Sequence, residues 1–173
     1  MDNRVYKNVD EKKISMKLGT KGRYAVMSMV DIACHDDNEA VSLNDIATRT
    51  EISLPYLEQL FMKLRKSGLV TSVRGPGGGY KLARPSNDIR ISDILLAVDV
   101  QMHTTRCEPN SAMGCRINHG RCLTHDLWDA MGHQMALFLN SVSLDDVVQG
   151  RLIDRSRHHP KKEEEENNLK VVS

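Results

Sequence analysis

The chain has 173 residues, room for one compact domain and an accessory element but not for two large domains. Its 24 Lys and Arg against 23 Asp and Glu leave a formal charge of +1, which by itself gives no electrostatic reason to expect a nucleic-acid partner. Aromatic residues at 4% and nine Met argue for an aliphatic core and against an aromatic-rich sandwich or barrel.

The first 15 residues, MDNRVYKNVDEKKIS, are polar and are expected to form a disordered leader, with Met16 opening the folded part. They lack the apolar stretch of a signal peptide, and no segment approaches the roughly 20 apolar residues of a spanning helix. A cytoplasmic protein with no membrane partner is expected. In a reducing compartment, three clustered cysteines read as metal ligands or redox groups rather than disulfides.

From Gly22 to Ala33, apolar Ala25, Met29, Ile32 and Ala33 recur at helical spacing, so a helix with one buried face is expected, with Cys34 as a small buried side chain at its end. His35 to Glu39 reads as a loop. A second helix follows from Leu43 to Thr50, with Leu43, Ile46 and Ala47 on one side. Ser53 then stands as an N-cap and Pro55 in a first turn, where its missing N–H does no harm. The third helix carries Leu57, Leu60, Phe61 and Leu64, the i, i+3, i+4, i+7 set, and stops at Ser67-Gly68. Leu69 to Val73 reads as a strand, Arg74 to Gly79 as a glycine-rich turn and Tyr80 to Leu82 as a returning strand. Helix, helix, turn, helix, hairpin is the order of a winged helix-turn-helix.

Ile91 to Val98 reads as a further short helix. A long amphipathic helix is expected from about Leu123, with Leu127, Met131, Met135 and Phe138 in one stripe and Trp128 and Leu139 beside it. A cap and a short turn of helix follow between Asn140 and Gly150. The fold class is thus mainly α with a small β wing. Its parts are a leader (1–15), a winged helix-turn-helix (16–85), a connecting helix (86–105), a cysteine-rich loop (106–126), a dimerisation helix (127–150) and a disordered charged tail (151–173).

Two constellations carry chemistry. On the third helix, the face opposite the apolar set bears Glu58, Gln59, Met62, Lys63 and Lys66. Gln can pair with adenine, Glu can accept from the cytosine amine, and Lys neutralises phosphate. Between Phe61 and Arg74 there are four cations (Lys63, Arg65, Lys66, Arg74) and no acid. Residues 16–90 hold 11 Lys/Arg against 8 Asp/Glu (11 − 8 = +3), while residues 91–155 hold 5 against 8 (5 − 8 = −3). The neutral total therefore hides a basic half joined to an acidic one, the asymmetry of a DNA-binding half and a regulatory half. Arg74 at the hairpin tip can enter a narrow minor groove. A phosphate-loop reading of Gly75 to Gly79 is weak, because no Lys-Ser/Thr pair follows and no helix N-terminus is evident there.

The second constellation is Cys107, Cys115, Cys122 and His125, in the pattern C-x7-C-x6-C-x2-H. Three thiols and an imidazole are a soft ligand set suited to zinc or to iron–sulfur chemistry, and the spacing alone leaves both open. His119 is a weaker competitor for the fourth position. His35, His103, His133, His158 and His159 are expected to face solvent. A thiol-dependent redox enzyme is disfavoured, because no CxxC pair and no Ser/His/Asp set is readable.

Several stretches are specific enough to name a family: MKLGTKGRYAV at Met16 to Val26, ISLPYLEQLFMKLRKSGLVTSVRGPGGGYKL at Ile52 to Leu82, CLTHDLW at Cys122 to Trp128 and FLNSVSLDDVV at Phe138 to Val148. Together they resemble the Rrf-two family of winged-helix transcription regulators, in particular its iron–sulfur cluster regulators, over residues 16–150. The resemblance implies a homodimer that binds a 2Fe–2S cluster through Cys107, Cys115, Cys122 and His125. It implies control of iron–sulfur assembly genes, as repressor or activator, with cluster occupancy altering which promoters are bound, and contact with the iron–sulfur assembly machinery. By position, Ser53, Tyr56, Glu58, Gln59 and Arg74 become the readers of double-stranded DNA, with Lys63 beside them, and Leu127, Trp128, Met131, Met135 and Phe138 the dimer interface. The sequence departs from the family in longer cysteine spacing and in the leader. Other members bind a 4Fe–4S cluster and sense nitric oxide or iron, against which the histidine ligand argues.

Overall fold

A computed structural model describes residues 19–35, 39–100 and 121–152. Six α-helices and one hairpin make up these residues: α1 (Thr20–Cys34), α2 (Leu43–Thr50), α3 (Leu54–Lys66), β1 (Val70–Val73), β2 (Gly79–Leu82), α4 (Ile91–Ala97), α5 (His125–Ser141) and α6 (Leu144–Val148). The expected leader, the expected tail beyond Leu152, Cys107, Cys115, His103, His119, His158 and His159 lie outside the described residues. The first two residues assigned to that tail belong to the fold instead: Arg151 pairs with Asp145 and Asp146, and Leu152 packs against the core.

The periodicity places the helices as expected, within a residue or two at each end. Ala25, Met29 and Ile32 of α1, Ile46 of α2 and Leu57, Leu60, Phe61 and Leu64 of α3 all enter one core. Ile94, Leu95 and Val98 at α4 and Leu144 at α6 complete it. The aspartate Asp31 accepts two hydrogen bonds from Arg49, at 2.8 and 2.7 Å, which pins α2 to α1. Ser42 caps α2, its hydroxyl accepting from the Asp45 amide at 3.1 Å. Ser53 occupies the expected N-cap of α3, but through its backbone. Its carbonyl accepts from the Tyr56 and Leu57 amides, both at 3.1 Å, and its side chain makes no capping bond.

The hairpin pairs antiparallel, with Val70 opposite Leu82 and Val73 opposite Gly79. It is anchored by a third segment that periodicity could not reveal. Val41, a lone extended residue before α2, forms a bridge to Tyr80 with N–H···O distances of 2.9 and 2.8 Å. Gly79 permits this approach: a Cβ there would stand 2.2 Å from the Val41 carbonyl oxygen. Gly79 is thus required by the packing of the wing and not only by its turn. Behind the hairpin, the Phe61 and Tyr80 rings pack at 4.8 Å.

One expectation is overturned. Cys34 is exposed, not buried. It lies nine positions after Ala25, about 180° round the helix at 3.6 residues per turn, and so opposite the core face. His35 and His133 do face solvent.

Candidate nucleic-acid interface and metal centre

The three-dimensional face of α3 follows from its burial. With Leu57, Leu60, Phe61 and Leu64 turned inward, Pro55, Glu58, Gln59, Met62, Arg65 and Lys66 are exposed. Ser53 is exposed at the start of the helix, and Arg74 stands exposed just beyond β1 at the wing. Glu58, Arg65, Lys66 and Arg74 form no ion pair with any described residue, so their charges meet solvent. Three of the four cations between Phe61 and Arg74 are thus exposed and without an ion-pair partner among the described residues: Arg65 and Lys66 in the last turn of α3, and Arg74 beyond β1.

Two of the expected DNA readers differ from the rest. Tyr56 is half-buried on the flank of α3, its ring set edge-on to Tyr24 of α1 at 5.9 Å and 89°. Lys63 shares that flank and is ion-paired with Asp99, the second residue after α4. This bond holds Asp99 below the usual carboxylate range and raises Lys63. Residue spacing could not have found the pair, because its members are 36 positions apart.

Of the four expected metal ligands, two fall on described residues. Cys122 is a half-buried free thiol and His125 opens α5 as its one buried residue, 8% exposed. They share a turn, the His125 amide donating to the Cys122 carbonyl at 3.0 Å. The Cys122 sulfur and the Thr124 hydroxyl share a hydrogen bond of 3.5 Å, so a thiolate there would have a donor at hand. A soft thiol and an imidazole on one turn fit the donor chemistry of an iron–sulfur or zinc site.

The expected dimer stripe lies on α5, which packs mainly on α4, with the Ser92 hydroxyl donating to Asn140 at 3.2 Å. Leu127 is 62%, Phe138 51% and Trp128 41% exposed, while Met131 and Met135 are half-buried. Leu123 and Leu137 are exposed as well, outside the expected stripe.

The family profile of Rrf2, described as an iron-dependent transcriptional regulator, matches residues 18–150. The chain belongs to the Rrf2 family. An IscR transcriptional regulator of Pectobacterium carotovorum is 48% identical over 136 residues, covering 79% of this chain and 81% of that protein. Among solved structures, the IscR of T. potens is 33% identical with a TM-score of 0.62, covering 85% of this chain and 95% of that one. CymR, the global cysteine regulator of B. subtilis, is 29% identical with a TM-score of 0.65, covering 79% of this chain and 98% of that one. This Rrf2 protein is accordingly a transcriptional regulator of winged-helix fold and not an enzyme. No helix among its described residues is long and apolar enough to cross a membrane.

Proposed function

We propose that the protein is a homodimeric, cytoplasmic regulator that binds double-stranded operator DNA through α3 and the wing and senses iron–sulfur cluster status through a 2Fe–2S cluster. Its targets are iron–sulfur assembly genes, repressed or activated according to cluster occupancy, and the assembly machinery is its source of cluster. The observation that carries the DNA reading is the exposed face of Glu58, Gln59, Arg65 and Lys66 on α3, with Arg74 exposed on the wing, in a chain whose total charge is close to zero. The kinship with IscR proteins supports the cluster reading.

In the proposed complex, Ser53, Gln59 and Glu58 read base edges in the major groove, with Tyr56 on the flank and Arg74 in the minor groove. Lys66 and Lys63 neutralise phosphate. A carboxylate beside DNA is costly unless it accepts from a cytosine amine, so Glu58 excludes operators lacking that base. Leu127, Trp128, Met131, Met135 and Phe138 cover one another's exposed area across the dimer axis, which sets two α3 helices against successive grooves.

Cys107, Cys115, Cys122 and His125 would hold the cluster. Bound there, it would supply a redox-active centre held by three thiolates and one imidazole. His125 begins α5, so a change at this ligand reaches the dimer helix directly.

The test is analysis of anaerobically purified protein from iron-replete cells for iron, sulfide and visible absorption. Two irons and two sulfides per chain, lost when Cys122 is replaced by Ala, are expected for one such cluster. Stoichiometric zinc without sulfide would contradict the cluster reading and leave the DNA reading standing.

A further inference from the structure

The end of the recognition helix is tied to a carboxylate beyond the wing. Asp99 has a φ of 53°, a left-handed backbone that Asp and Asn adopt more readily than most residues. From there its carboxylate pairs with Lys63 of α3 and lies 3.7 Å from the Lys21 ammonium of α1. The Asp99 side chain is 70% exposed, so the cluster sits in water where α1, α3 and the end of α4 meet. Among the four cations between Phe61 and Arg74, Lys63 alone has a carboxylate partner among the described residues.

We propose that Asp99 is an intramolecular competitor of DNA phosphate for Lys63, so that the strength of DNA binding depends on whether Asp99 keeps this lysine. The inference rests on the DNA-binding reading and deepens it. A lysine already neutralised by a carboxylate gathers and releases no phosphate counterion, so it adds nothing to the salt-dependent part of the affinity. An exposed ion pair in water is weak, which makes the exchange of carboxylate for phosphate accessible. Because linked equilibria are reciprocal, whatever draws Asp99 away from Lys63 strengthens DNA binding, and DNA in turn loosens Asp99. The device offers a second control on affinity, separate from base readout by Glu58 and Gln59.

Asp99→Asn tests this. Asn has the same shape and tolerates the same left-handed backbone, but it carries no charge. Binding of the full chain to a fluorescent mixed-sequence DNA duplex is followed by anisotropy over a series of salt concentrations. The variant is expected to bind up to about eightfold more tightly at about 0.1 M salt, with the slope of log K against log salt steeper by about 0.9, the increment of one more phosphate contact. In a Lys63→Met background the same change should lose most of that gain. Unchanged or weaker binding by Asp99→Asn overturns the inference, as does a gain of equal size without Lys63. If the unaltered protein shows no salt-dependent binding to duplex at all, the DNA-binding reading falls, and this outcome is distinct from either of those.

Discussion

The winged-helix half and α5 use the same apolar periodicity and end in opposite states. In the 15 residues of α1, five are buried, and in the 13 of α3, four are. In the 17 residues of α5, His125 alone is buried, while Leu127, Trp128, Leu137 and Phe138 are exposed. An amphipathic stripe reports that a face is to be covered. It does not report whether the same chain covers it. The first half closes on itself, with every large apolar side chain of α3 except Met62 turned inward or half-buried. The second half leaves much of its stripe open, as the proposed dimer requires.

The sharpest way to break that contrast is to truncate one aromatic ring in each half. Phe61→Ala should cost about 3–5 kcal/mol in denaturant unfolding, because Phe61 is fully buried and packs on Tyr80. Phe138→Ala should cost less than about 1 kcal/mol in dilute protein, the usual range for an exposed position. If the two costs were equal, the difference in burial would have no energetic meaning. Next in size is Gly79→Ala. Its Cβ would collide with the Val41 carbonyl, so the bridge to Tyr80 should be lost at about 1–3 kcal/mol, with weakened amide protection at Val41 and Tyr80.

Combined Leu127→Ser and Phe138→Ser should leave the α-helical circular dichroism nearly intact while shifting sedimentation from dimer to monomer. The concentration dependence of the melting temperature should vanish with it. A monomeric unaltered protein, or a variant that still dimerises, would assign the interface elsewhere. Smaller still are changes on the DNA face. Arg74→Ala should weaken binding to duplexes with a narrow, A/T-rich minor groove more than to G/C-rich ones. Glu58→Ala should re-rank a panel of operators rather than weaken all of them alike, and an unchanged ranking would remove Glu58 from base selection.

Most of the winged helix was legible because its signals are local. The Leu57–Leu64 stripe, Pro55 in the first turn and Gly68 with its positive φ after the last are each read within a few residues. What escaped depends on distant partners. Val41 pairs with Tyr80 across α2 and α3, and Arg90 with Ser143 across α4 and α5, neither of which leaves a periodic trace. Asp99 pairs with Lys63 across 36 positions, a partnership that no local pattern signals. Cys34 differs from these, because its angle from Ala25 along the helix already sets it on the solvent side. At the candidate metal centre, residue chemistry selected the donors. The turn joining Cys122 to His125 follows from their spacing, whereas the burial of the imidazole does not.

The most direct test joins the two halves. Duplex binding by anaerobically purified protein is compared before and after removal of iron and sulfide, using an operator selected by the protein itself and an unrelated duplex. Altered discrimination between the two duplexes on cluster loss, with the salt-dependent affinity of the basic face retained, is the expected result. Identical discrimination with and without the cluster would contradict a regulator in which α5 and its cysteine segment govern what α3 reads.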